Sequence, residues 1–400
     1  MESTPREVLS QPEKLRVLKV ALPEGAASAT SIFKLATQFY FVFEDDLVKD
    51  LIEDLKRIPE QWAIGVVDKK GKGLGVIVLS QFQARLSQPF AYDVLGKREV
   101  HSTMVVAKTF PRDKHLLTVA DYIEAEVSRP SNSYYLLENP TGKFAGIFSS
   151  KDLLIEMFRL HRQDLKLAVS IQAEAIPESG HWNSKHLEFY GWNKMAKGVG
   201  GDYWALKEYQ EGRWVALVCD VSGKGMAAGL ITTALAGMFS LYNFSQGLEG
   251  FITRVNTFVL QTFKMEKYLT GVFLDYSEHD RRLTIFDMGH GHLRLIRNKK
   301  SYSFSSTNPF LGFAASLTPQ PRVGVLHAGD LICAYTDGFI EQQNIEKQEF
   351  GIDRFEKILE HHSPDKLETI VENIHSSVKS FRGEQPRGDD LSLLLLRIKK

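Results

Sequence analysis

The sequence predicts a mixed α and β protein with more than one core, and three observations carry that prediction. Its 400 residues are 43% hydrophobic and 24% charged, enough for two or three cores and ordinary enough to be globular. Between Phe39 and about Phe158 the same order of elements occurs twice, which marks an internal repeat. From Leu187 onward, strand-like and helical runs come in blocks, which favours an antiparallel α+β layered sandwich over a parallel doubly wound sheet.

Up to Ala29 the chain is polar, small or Pro-bearing and lacks periodicity, so residues 1–29 are expected to be a flexible or loosely docked N-terminal arm. Residues 30–158 hold the repeats. In the first copy Leu47, Leu51, Leu55 and Ile58 recur at helical spacing, Trp62 to Val67 reads as a strand, and the turn Asp68-Lys69-Lys70-Gly71-Lys72 leads to a second strand, Gly75 to Leu79. In the second copy Val119, Ile123 and Val127 mark the helix and Tyr134 to Leu137 the strand. Asn139-Pro140-Thr141-Gly142 forms the turn, and Gly146-Ile147-Phe148 leads into a helix from Lys151. That helix carries Leu154, Phe158, Leu165, Ala168 and Ala175 among charges and stops at Pro177. It reads as a linker, assigned to 159–180, and serves either as a plain domain-covering helix or as a dimer seam or lever; its apolar spacing is too irregular for a coiled coil.

In residues 181–400 the strand-like runs end on carboxylates. Trp214 to Cys219 leads into Asp220, Leu331 to Tyr335 leads into Thr336-Asp337-Gly338, and Asp389-Asp390 opens a final strand, Leu391 to Ile398. Two helices, about Met226 to Tyr242 and Phe251 to Lys264, and a hairpin around Ser277-Glu278-His279-Asp280 lie between them.

Composition narrows the function. Lys plus Arg and Asp plus Glu both count 49, so no basic excess points to nucleic acid or an anionic membrane. The two cysteines, Cys219 and Cys333, sit in apolar runs, which excludes a disulfide framework and favours a reducing compartment. Charge and Pro stand where a signal peptide has its apolar core, and no apolar run reaches membrane-spanning length, so a cytoplasmic protein is expected.

Four segments carry the chemistry: Gly200-Gly201-Asp202, Asp220-Val221-Ser222-Gly223-Lys224-Gly225, Thr336-Asp337-Gly338 and Gly388-Asp389-Asp390. Each sets a carboxylate beside glycine in a loop against an apolar strand. Oxygen donors without convergent His or Cys suit hard ions such as Mn2+ or Mg2+. Two such ions sharing a carboxylate would activate a water for phosphoryl displacement, with no protein nucleophile. His290 and His292 read as loop residues more readily than as ligands. Lys224 reads either as a solvated side chain or as a phosphate contact, and the cysteines as buried hydrophobes in preference to redox sensors. Neither Cys has an Arg six positions later, and no Gly-Lys is followed by Ser or Thr, so cysteine-phosphatase chemistry and a nucleoside-triphosphatase loop are both excluded.

In order and in residue type, the four segments resemble the SpoIIE family of PPM-type metal-dependent serine/threonine phosphatases over roughly Leu165 to Lys400. Ile171-Gln172, Met288-Gly289-His290, Pro309-Phe310-Leu311-Gly312 and Gly329-Asp330 match as well. The resemblance implies a PPM-type α-β-β-α sandwich with two Mn2+ or Mg2+ ions. Asp220 would bridge them, with help from the Val221 carbonyl. Asp337 and Asp389 would complete one ion and Asp202 would serve the other, directly or through water; Asp389 is preferred to Asp390 because the family places its ligand first. The chain departs from the family at Ala205, where another Asp is usual, and at Gly291-His292, where Asn-Pro is usual.

The repeats resemble a tandem pair of cystathionine β-synthase (CBS) domains, best at Gly146-Ile147-Phe148-Ser149-Ser150-Lys151-Asp152. That resemblance implies an adenine nucleotide held by Ser149 and Asp152; the matching positions of the first copy are Val78 and Gln81, so at most one half-site is intact. The alternative is that Ser149 and Asp152 cap the helix that follows. Together the resemblances imply a bacterial, homodimeric phosphatase acting on a phosphorylated protein, by analogy an anti-sigma-factor antagonist, under control of the repeats. The competing expectation is a non-catalytic partner switch that binds a regulator through a phosphatase-like fold.

Overall fold

The protein is described by a computed structural model, which covers residues 15–21, 30–127, 133–196 and 198–399. It divides into two compact units, Met1–His161 and Arg162–Lys400.

The first unit contains β1 (Leu18–Lys19), β2 (Tyr40–Phe43), α1 (Val48–Leu55), β3 (Ala63–Val67), β4 (Gly73–Val78), α2 (Leu79–Leu86), α3 (Ala91–Leu95), β5 (Val105–Val106), β6 (Lys108–Pro111), α4 (Leu116–Val127), β7 (Tyr134–Glu138) and β8 (Phe144–Ser149). The expected repeat is visible in the pairing. β2 runs parallel to β3, which forms a hairpin with β4; β6 runs parallel to β7, which forms a hairpin with β8. Even the turns repeat. Asp68 Oδ1 accepts the Lys70 and Lys72 N–H groups at 2.9 and 2.8 Å, and Asn139 Oδ1 accepts those of Thr141 and Lys143 at 3.0 Å each. Gly71 and Gly142 take the positive φ, 83° and 76°, that each turn requires. Leu136, Phe144 and Ile147 of the second copy pack on Ala63, Val67, Val76 and Val78 of the first, so neither sheet face is left to solvent.

Where it is described, the arm is docked instead of free. Val17 is 3% exposed, Leu18–Lys19 pair with Phe41 and Tyr40, and the Val17 N–H donates to Asp54 Oδ2 at 2.9 Å. A two-residue strand is too short to show periodicity, so its docking could not be read from spacing. Residues 1–14 and 22–29 of the arm lie outside the described residues.

The linker is α5 (Ser150–Ala175), one continuous helix that ends before Pro177 as its missing N–H requires. The second unit continues with β9 (Ser179–Asn183), β10 (Leu187–Lys194), β11 (Asp202–Gln210), β12 (Arg213–Val221), α6 (Met226–Leu241), α7 (Leu248–Phe263), β13 (Leu269–Ser277), β14 (Arg282–Met288), β15 (Leu293–Arg297), β16 (Lys300–Ser303), β17 (Arg322–Val325), β18 (Leu331–Tyr335), α8 (Ile352–His362), α9 (Leu367–Arg382) and β19 (Leu391–Ile398). The strands form two antiparallel sheets, ordered β16-β15-β18-β19-β10-β9 and β11-β12-β13-β14-β17.

Alternation along the strands builds three cores. On β12, Trp214, Ala216 and Val218 face Leu394 and Leu396 of the opposing sheet, while Val215, Leu217 and Cys219 face Ile231 and Leu235 of α6 and Phe251 and Val255 of α7. Leu393 and Leu395 of β19 pack on Phe355 of α8 and Ile370 and Ile374 of α9. This is the expected α-β-β-α order. Boundaries shift in places: the helix expected as a linker over 159–180 runs Ser150–Ala175, with a strand from Ser179, and α7 starts at Leu248, three residues before the expected Phe251. Gly250, within the first turn of α7, is closely packed, since a Cβ there would stand 2.4 Å from Tyr242 Oη.

Candidate active site

Both sheets deliver carboxylates to one end of the sandwich. Asp202 opens β11 and Asp220 lies near the end of β12, and the two are direct ladder partners. They therefore sit within strands, where loops were expected. Asp337 starts the short 3-10 turn after β18, and Asp389 lies two residues before β19. Thr336 ties the sheets together: its buried hydroxyl donates to Asp202 Oδ2 at 2.7 Å and accepts the Ser392 N–H at 2.9 Å.

Glycines permit the close approach. A Cβ on Gly338 would stand 2.0 Å from the Asp390 carbonyl oxygen, and one on Gly201 would stand 2.8 Å from the Val221 carbonyl oxygen. The Asp-Asp pair divides its labour. Asp390 Oδ1 accepts the Ala196 N–H at 2.6 Å and Oδ2 the Gly201 N–H at 2.8 Å, so both its oxygens hold the loop before Asp202. Asp389 spends no oxygen on that loop. It accepts the Asp390 N–H at 2.9 Å and pairs with Lys224 Nζ at 2.7 Å.

The charges are poorly compensated. Burial, and then Asp220 and Asp390, push the Asp202 carboxyl well above the usual carboxylate range. Burial, and then Asp337 and Asp389, push Asp220 up to about 8. Asp337 and Asp390 are raised too, chiefly by burial. Buried like charges at this density call for cations. The donors are all oxygen, which fits Mn2+ or Mg2+. Among the described residues, however, no three such side chains already converge as a ligand cage.

His290 offers no ligand. Its Nε2 bonds the Tyr335 carbonyl at 2.9 Å, its Nδ1 bonds the Thr270 hydroxyl at 3.0 Å, and burial holds its pKa down at about 3. His292 packs against Tyr335, ring centroids 5.3 Å apart. Cys219 and Cys333 are fully buried and their thiols raised by that burial, as the hydrophobe reading expects. Lys224 is neither merely solvated nor idle: beyond Asp389 it donates to the Gly388 carbonyl at 2.5 Å.

Two positioning residues could not be singled out from the sequence. Gln172 of α5 accepts the Gly200 N–H at 2.9 Å and donates to the Gly200 carbonyl at 2.8 Å and the Thr232 hydroxyl at 2.7 Å. Gln342 accepts the Gly388 N–H at 3.2 Å. Each braces a peptide just ahead of a carboxylate; the only signal was Ile171-Gln172 before Pro177, whose role was open.

In the first unit, Ser149 and Asp152 close on each other. Ser149 Oγ donates to Asp152 Oδ2 at 2.7 Å, the Ser149 N–H donates to the same oxygen at 2.8 Å, and the Asp152 N–H donates back to Ser149 Oγ at 3.2 Å. This reciprocal capping box starts α5 and supports the capping reading.

The family model Stage II sporulation protein E (SpoIIE) matches residues 210–399. The SiaA-PP2C domain of Pseudomonas aeruginosa superposes with a TM-score of 0.52 at 18% identity, covering 60% of this chain and 98% of that one, which shows a PP2C-like fold. RsbX in complex with magnesium gives 0.44 at 18% identity over 55% of this chain and 100% of its own. The PP2C phosphatase domain of SpoIIE from Bacillus subtilis gives 0.45 at 16% identity over 55% and 64%. The search of curated proteins returned no match. Residues 210–399 therefore form a SpoIIE-type domain, and the fold is PP2C-like. No helix among the described residues is long and apolar enough to cross a membrane.

Proposed function

We propose that the protein is a Mn2+- or Mg2+-dependent phosphatase that removes phosphate from serine or threonine of a regulatory protein, by analogy an anti-sigma-factor antagonist. One observation carries the reading: Asp202, Asp220, Asp337 and Asp389 lie at one end of the sandwich, where burial and neighbouring carboxylates raise the pKa of Asp202, Asp220 and Asp337, with the Lys224 ammonium paired to Asp389. Asp202, Asp220, Asp337, Asp389 and the Val221 carbonyl would hold the ions. When bound, two divalent ions supply an activated water and neutralise charge on the transferring phosphoryl group. The chain's own part is positioning. Thr336 aims the Asp202 carboxylate, Asp390 fixes the Gly200-Gly201 loop, and Gln342 sets the segment that carries Asp389.

The repeats are the regulatory element of this reading, and what supports that is their duplicated topology, joined through α5 to the helix end that carries Gln172. An adenine nucleotide at Ser149 and Asp152 would have to open the capping box, and calorimetry with Asp152→Ala as control tests it. No observation favours the non-catalytic alternative. The deciding experiment is release of phosphate from a phosphoserine peptide by the full chain with EDTA or Mn2+. Mn2+-dependent turnover that disappears in Asp220→Asn is expected; metal-independent turnover, or none under either condition, would refute the assignment.

A further inference from the structure

Lys224 stands between two glycines of positive φ, Gly223 at 81° and Gly225 at 84°, on the loop that joins Asp220 to α6. Its side chain is 42% exposed, so little packing holds it, and its ammonium still lies 2.7 Å from Asp389 Oδ2 and 2.5 Å from the Gly388 carbonyl. The same ammonium is the cation that lowers the charge cost at Asp220, Asp337, Asp390 and Glu341. One ammonium is thus shared among several buried carboxylates. Beside it opens a cavity of about 370 Å3, lined by Glu341, Asn344, Lys347 and Gln385 as well as Lys224 and Asp389.

We propose that Lys224 is an exchangeable counter-cation of the metal centre: it holds Asp389 while the site lacks metal, yields that carboxylate to a divalent ion, and then presents its ammonium to the substrate phosphate at the mouth of the adjoining cavity. The inference rests on the phosphatase reading above. A divalent ion on Asp389 and an ammonium on the same oxygen repel each other, so the weaker and more mobile cation leaves. The flexible stem of lysine and its glycine neighbours make that movement cheap. A phosphate monoester dianion arriving at the metals is then the nearest free anion for an ammonium that has lost its carboxylate.

A purely structural ion pair predicts the opposite effect on metal binding. In that case removing Lys224 would loosen Asp389 and weaken metal affinity. If Lys224 competes, removing it tightens affinity, by roughly two- to fivefold on the scale of a half-exposed ion pair.

The test uses the full chain as wild type, Lys224→Met, Lys224→Gln, which retains a donor for the Gly388 carbonyl, and Lys224→Arg. Mn2+ affinity is measured by calorimetry on EDTA-stripped, dialysed protein, and KM and kcat on a phosphoserine peptide at saturating Mn2+. The expected result is tighter Mn2+ binding in the Met and Gln variants, near wild-type binding in the Arg variant, and KM raised about threefold or more where the charge is lost. Unchanged or weaker Mn2+ binding in both neutral variants overturns the exchange, and an unchanged KM overturns the phosphate contact. Wild-type protein that binds no Mn2+ overturns this inference together with the function it rests on. Normal Mn2+-dependent turnover in the wild type with indifferent variants removes the inference alone.

Discussion

Strand β18 carries an aspartate at each end, and their surroundings differ. Just before the strand, Asp330 is 1% exposed and fully answered. Arg297 Nε and Nη2 donate to its two oxygens at 2.8 and 2.6 Å, and the His327 N–H donates at 2.7 Å. Just after the strand, Asp337 faces Asp220 and Asp389, and Lys224 offsets part of that charge. A buried carboxylate with its own partners holds the fold together, whereas buried carboxylates turned on one another are a cost the fold bears for another purpose. Gly329-Asp330 and Thr336-Asp337-Gly338 look alike as sequence. Their partners tell them apart.

The largest expected effect falls at the crowded end. Asp220→Asn should lower Mn2+-dependent turnover by a factor of about 100 or more, in line with losing a main electrostatic element of catalysis. The same change should raise the melting temperature of the EDTA-treated protein, since it removes a like charge from a buried cluster. Calorimetric scans paired with phosphopeptide assays check both, and a metal-free variant less stable than wild type would break the contrast. At the other end the sign reverses. Asp330→Ala should cost about 3 kcal/mol of stability, because it strands Arg297 beside a buried site, while a folded variant should keep its kcat; urea titration and kinetics read the two effects separately.

A smaller effect concerns acid. His290 is neutral in the fold, with a pKa of about 3 against an ordinary 6.5, so the unfolded chain binds the extra proton. Its contribution is fully present above about pH 6.5 and is lost as pH falls toward 3, by at most about 1.4 kcal/mol per pH unit. Stability of His290→Gln, measured from pH 7 to 4, should therefore fall less steeply than wild type. The smallest change is Ser149→Ala, which should destabilise by about 1 kcal/mol through the lost cap; a drop in phosphatase activity without such destabilisation would give Ser149 a role beyond capping.

Much of the fold was legible. The duplicated helix and hairpin are carried by spacing and by the paired Asp68 and Asn139 turns, and the sandwich by strands whose apolar residues alternate. The docked strand Leu18–Lys19 was not legible, because two residues carry no period and their partner lies far along the chain. Within the site, the carboxylates Asp202, Asp220, Asp337 and Asp389 stood out as residue types beside glycine. What Asp390, Thr336, Gln172 and Lys224 do was hidden, since each acts through a backbone or side-chain partner brought close only by folding. A sequence shows which groups can carry charge. It does not show which of those charges folding leaves unanswered.

The central claim is that the unanswered charges are a metal site, and titrating Mn2+ into the EDTA-stripped, dialysed full chain tests it most directly. Wild type should bind about two ions per chain, the number the bridging arrangement requires, and Asp220→Asn should lose both while retaining a cooperative thermal transition. Wild-type protein that binds no Mn2+, or an Asp220→Asn variant that binds as wild type does, would contradict it.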